Sequence, residues 1–177
     1  MTISTLVVPD SVSFEEAIAL TQQLLTDWEQ QSTEQIQAIV TQLVASQNGA
    51  RGFFVTYLTD ERSQFDHPTD AVLTALLSSA EIVSELLVKN LAMSTAMAIA
   101  HRRKGNEAMA QGSDRVRSRT TRLIQRLNLD LIQTKAAQLR QSATSDGPYQ
   151  SFLDRWGYDA EQRIAIADAV DSAIATA

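Results

Sequence analysis

The sequence predicts an all-α protein of five to seven helices, an antiparallel helical bundle with two long central helices, and three observations predict it. Only six glycines and three prolines punctuate 177 residues, too few for a turn-rich sheet architecture. Apolar side chains recur at intervals of three and four, the period of a helix with one buried face. Ser13 with Glu16 and Ser32 with Gln35 have the spacing of capping boxes, in which side chain and backbone satisfy each other at a helix start. A chain of this length buries about two thirds of its unfolded surface, enough for one core without metal or disulfide staples. Residues 1–12 read as an extended or disordered lead-in and residues 13–177 as a single helical domain.

The first helix starts at the Ser13 cap and carries Ile18, Leu24, Leu25 and Trp28 to about Gln31. The second starts at Ser32, carries Ile36, Ile39, Val40, Leu43 and Val44, and ends at Asn48-Gly49 as a C-cap. Their short connection predicts an antiparallel hairpin. Gly52 to Thr59 is rich in aromatic and β-branched residues, which suits a strand. A lone strand would leave its ladder groups unpaired, so a short buried helix is preferred.

Pro68 fits the first position of a long helix with Val72, Leu76, Ala80, Val83, Leu87, Leu91 and Met97 on its buried side. It ends where Arg102, Arg103 and Lys104 complement the exposed carbonyls and Gly105 terminates the turn. Gly112-Ser113-Asp114 reads as a break before a second long helix, 114–142, carrying Val116, Leu123, Leu127, Leu131 and Leu139. Thr144 to Pro148 is a loop, and a short helix through Tyr149, Phe152, Leu153 and Trp156 ends at Gly157. Asp159 precedes a last helix with Ile164, Ala167, Val170, Asp171 and Ile174 on one face, and the tail after Ala173 frays.

Charge is distributed unevenly. Eight of the fifteen Lys and Arg residues lie between Arg102 and Arg126, beside only Glu107 and Asp114, while the whole chain carries −6. That acidity disfavours a dedicated non-specific nucleic-acid binder but leaves local recognition by the basic block open. Arg115, Arg119, Arg122 and Arg126 are spaced by four, three and four, which aligns four guanidinium forks along one side of a helix. Such forks suit carboxylates and phosphates. The plainer reading is a solvated flank whose stems cover apolar surface and whose charges pair with acids of the first hundred residues. A protein partner with an acidic surface comes next, and a nucleic acid or phosphorylated ligand last, because no aromatic platform interrupts the block.

Other constellations are weaker. Asp70, Glu81 and Glu85 could begin a carboxylate metal site, yet no Glu-x-x-His pair accompanies them, and His67 and His101 lie a long helix apart. Cysteine is absent, which removes thiolate chemistry and fits a reducing, cytoplasmic setting. No nucleophile elbow, phosphate loop or dinucleotide fingerprint occurs. The apolar window from Leu86 to Ala100 holds Lys89 and Asn90 and is short for a bilayer, so no membrane association is expected. Trp28, Trp156, Tyr149 and Tyr158 read as packing residues ahead of partner anchors.

The resulting expectation is a non-enzymatic helical interaction or adaptor protein docking through Arg115, Arg119, Arg122 and Arg126. A phosphate-ligand or nucleic-acid module on the same face and a small carboxylate-metal helical enzyme stand as alternatives. No cofactor, metal or catalytic residue is assigned, and a homodimer is among the expected partners because long amphipathic helices leave surface that a second copy can cover.

Overall fold

The computed structural model describes residues 6–175. Among these residues the fold is all-α, with no strand and with nine α-helices: α1 (Phe14–Thr26), α2 (Thr33–Val44), α3 (Gln47–Thr59), α4 (Asp70–Leu77), α5 (Ala80–Arg103), α6 (Glu107–Leu127), α7 (Asp130–Thr144), α8 (Gln150–Trp156) and α9 (Ala160–Ile174). Nine helices replace the expected five to seven because each of the two long central helices is two. At Ser78 the backbone N–H and the hydroxyl both turn back onto the Ala75 carbonyl, at 3.1 and 2.6 Å. That tightens the last turn of α4 and releases the chain. At Asn128 the backbone enters the left-handed region at φ 44°, which Asn tolerates better than most residues, and α7 restarts after Leu129. The break expected at Gly112-Ser113-Asp114 does not form, and α6 runs through it from an Asn106 cap whose Oδ1 accepts from the Met109 N–H at 3.1 Å.

The chain divides into two compact units, with the division between Leu86 and Leu87, inside α5. In the first unit, α1 lies along α3, and α2 packs on α3 and α4. The predicted α1–α2 hairpin is therefore replaced by an α1–α3 pair. Gly52 explains the exchange: a Cβ there would lie 2.4 Å from the Ala17 Cβ and 2.9 Å from the Phe14 carbonyl, so the missing side chain lets the two backbones meet.

Asn48-Gly49 belongs to the first turn of α3 and does not cap α2. Ser46 caps α3 by accepting from the Gly49 N–H at 3.1 Å. Gly52 to Thr59 is helical, as preferred over a strand, and buries Phe53, Phe54, Tyr57 and Leu58. Their rings continue through Phe65 to Trp28, with centroid steps of 5.1 to 5.6 Å. Pro68 precedes the Thr69 cap of α4 and is not the first helical residue. Leu6, Val8 and Val12 are buried, and lead-in residues 1–5 lie outside the described residues.

In the second unit, α9 packs on α7 and α6, and α8 on α7. Gly105 at φ 70° closes α5, with Asn106 N–H on the His101 carbonyl and Gly105 N–H on the Arg102 carbonyl, both at 2.9 Å. This is the reciprocal pair of a Schellman cap. The buried face of α9 is Gln162, Ile166, Ala167, Val170 and Ala173. It differs from the predicted one: Ile164 is exposed, and Asp171 reaches Arg140 of α7 at 2.6 Å. The sequence predicts fraying after Ala173, but α9 continues to Ile174 and the Ala175 N–H bonds the Asp171 carbonyl at 3.0 Å; the rest of that tail, residues 176 and 177, lies outside the described residues. By length and composition α5 could cross a membrane, but more than half of its apolar window is buried inside the protein, including Val88, Leu91, Ala92 and Ala96.

Candidate functional site

The basic block is divided among three environments. Arg102 and Arg103 end α5, where cations complement the helix dipole, and both are tied to acids. Arg102 donates to Asp114 at 2.6 Å and to Glu107 at 3.0 Å. Arg103 donates to Asp159 at 2.5 Å and also holds Glu161. These hydrogen bonds raise both guanidinium pKa values, Asp114 acting first on Arg102 and Asp159 first on Arg103. Arg117 lies 3.0 Å from the other oxygen of Asp114. Both acids within the block thus lie against its own arginines, and the further partners, Asp159 and Glu161, come from the start of α9.

Asp159 has two tasks. Its Oδ1 caps α9 by accepting from the Gln162 N–H at 3.0 Å, while Arg103 fixes the carboxylate from α5. Arg103 first, and the Gln162 backbone second, hold its carboxyl below the ordinary 3.8. A depressed folded pKa gives stability that is complete above the unfolded value and is lost as pH falls through the folded one. Melting followed from about pH 7 to about pH 2.5 is therefore expected to show wild type losing stability at the acid end, with Asp159→Asn, which still caps but carries no charge, losing less over that window. Equal acid sensitivity in the two proteins would remove this pair from the pH response.

Arg115, Arg119, Arg122 and Arg126 occupy one flank of α6, but at unequal depth. Arg119 is 2% exposed, one turn from the buried Leu123. Arg115 and Arg122 are half-buried and Arg126 is exposed. Arg119, Arg122 and Arg126 each interact with other groups of the protein. The spacing is legible in the sequence. The burial of Arg119 is not, because a four-three-four row borders the apolar stripe along its whole length.

The carboxylates considered for metal do not form such a site: among the described residues no group of three His, Cys, Asp or Glu side chains could hold an ion. Asp70 and Glu81 are exposed in the first turns of α4 and α5, and Glu85 is half-buried one turn later. His67 is exposed and His101 half-buried. Of the aromatics, Tyr149 and Tyr158 are buried on either side of Phe152, each at 6.4 Å, and burial pushes the Tyr158 hydroxyl up to about 12. Trp28 packs edge-on against Phe65, whereas Trp156 is 53% exposed.

No motif or spacing in the sequence marks the groove between α6 and α9. It opens in the second unit, over Thr95 of α5, with a volume of about 520 Å³. Asp114, Arg117, Ser118 and Thr121 form the α6 wall, facing Ala165, Asp168, Ala169 and Ser172 of α9. A smaller cavity of about 250 Å³ in the first unit lies beside Trp28, Glu29 and Arg62. The Arg62 guanidinium there is already bound to the Leu25 carbonyl and both oxygens of Asp60.

A family model described as "Uncharacterised conserved protein UCP020893" matches residues 13–173. No curated protein and no solved structure matches the chain.

Proposed function

The chain belongs to that family, and we propose for it a non-enzymatic role: a cytoplasmic helical interaction or adaptor protein that holds a protein partner with an acidic surface. The observation that carries this reading is the division of charge between the units. Residues 1–86 hold 2 basic against 12 acidic side chains, net −10, and residues 87–177 hold 13 against 9, net +4. A positive unit in an acidic chain attracts an acidic partner and orients it. Arg126 is exposed and Arg115 and Arg122 are half-exposed, so they form the outer part of the proposed docking face. Arg119 supports the helix from within. The lack of cysteine fits a reducing compartment.

The test is capture from host lysate with wild-type protein and the Arg115→Glu, Arg126→Glu double variant, using matched nuclease-treated samples and mass spectrometry of the bound material. Arg119 is left in place because charge reversal at a buried position would unfold the helix packing. Recovery of one recurrent acidic protein is expected to fall about tenfold in the variant and to weaken with salt. Identical captures would overturn the reading, and captured material that vanishes on nuclease treatment would replace it with polyanion binding.

A further inference from the structure

Opposite charges face each other across the α6–α9 groove without meeting. Arg117 lines one wall and Asp168 the other. Arg117 has its ion pair with Asp114 on its own helix, and among the described residues no ion pair joins it to Asp168. Asp168 is exposed, and it acts only through space on Arg140, which is held directly by Asp171. The Arg117–Asp114 contact is itself incomplete: the 3.0 Å approach lacks hydrogen-bond alignment and leaves Asp114 Oδ1 buried and unsatisfied. A guanidinium with unused donors on one wall and an open carboxylate on the other are complementary to a ligand carrying both charges.

The groove also limits ligand size and side chains. Each wall covers seven residue steps, about 10 Å of helix, the reach of about three extended residues. Its volume lies within the range of small-ligand sites. Ala165, Ala169, Ser118 and Ser172 keep the walls low, and Ser118 and Thr121 add hydroxyls that can donate or accept. We infer that this groove binds a dipolar ligand of amino-acid to short-peptide size, its carboxylate on Arg117 and its ammonium on Asp168. The site is independent of the docking face proposed above.

The probe is trialanine, titrated into the isotope-labelled full chain and followed by backbone amide shifts, beside N-acetyl-trialanine, trialanine amide and free alanine. Saturable shifts confined to the groove segments of α6 and α9 are expected, with each blocked peptide binding about tenfold more weakly or worse. Asp168→Asn is expected to abolish the penalty for acetylation while keeping that for amidation, and Arg117→Gln to do the reverse. Both side chains are substantially exposed, and the dispersion of each variant's spectrum verifies its fold. Tighter binding of trialanine than of alanine assigns the groove to peptides, and the opposite order to free amino acids. No saturable shift, shifts elsewhere on the protein, or blocked peptides that bind equally well would each overturn the inference. The Arg115→Glu, Arg126→Glu variant is expected to bind trialanine unchanged, so failure of either idea is read separately.

Discussion

Gly52→Leu is expected to destabilise the first unit by about 3 kcal/mol or more, a large share of the stability of a domain this size. The cause is local. Even a Cβ at Gly52 would stand 2.4 Å from the Ala17 Cβ, 2.9 Å from the Phe14 carbonyl oxygen and 3.0 Å from the Ile18 nitrogen. Two of these three atoms are backbone, so relief requires moving α1 as a body. That movement would open the packing of α1 on α3, two helices whose buried residues include Ala17 and Leu24 on one and Phe53 on the other. Gly52→Ala is expected to lose stability as well, although Ala is intrinsically the better helix former by about 1 kcal/mol. Gly112 is the matching control. It lies inside α6 with nothing within 4 Å of an added Cβ, and Gly112→Ala is expected to gain about 0.5–1 kcal/mol. Urea denaturation of the three variants checks both signs; a stable Gly52→Ala would show that the α1–α3 contact yields easily.

Arg119→Ala is expected to cost about 3 kcal/mol, against less than about 0.5 kcal/mol for Arg126→Ala. The two residues belong to the same four-three-four row, but Arg119 is among the largest fully buried side chains of the protein. Truncating it removes a long buried stem and leaves the groups it engages without their cation. Arg119→Met, which keeps much of the volume, separates packing from charge: recovery of stability assigns the effect to the stem, and continued loss assigns it to the guanidinium. Equal, small effects at Arg119 and Arg126 would return Arg119 to the docking face.

Local chemistry made much of the fold legible. Ser13 with Glu16 and Ser32 with Gln35 form the capping boxes that their spacing implied, Asp159 caps α9, and Gly105 and Gly157 end helices at positive φ. Each involves atoms within a few residues of one another, so neighbouring sequence is enough to specify it. The helix count was less legible because its two extra breaks are small. Ser78 and Asn128 end helices through one hydroxyl and one left-handed residue, whereas Gly112, the more conspicuous breaker, stays helical, since a single glycine costs a helix only about 1 kcal/mol against Ala.

By itself, then, the sequence determined the helical class, many helix starts and stops and the position of its positive charge. Tertiary structure alone decided that α1 pairs with α3, that Arg119 is buried while Arg126 is not, that Arg103 is bound by Asp159 fifty-six residues away, and that Arg117 and Asp168 face each other across a groove. The physical reason is range. Capping and propensity act within one or two turns, while helix pairing, ion pairs between helices and grooves depend on which distant backbones can approach, and here that rests on the missing side chain of Gly52 and the small ones of Ala17, Ala165 and Ala169.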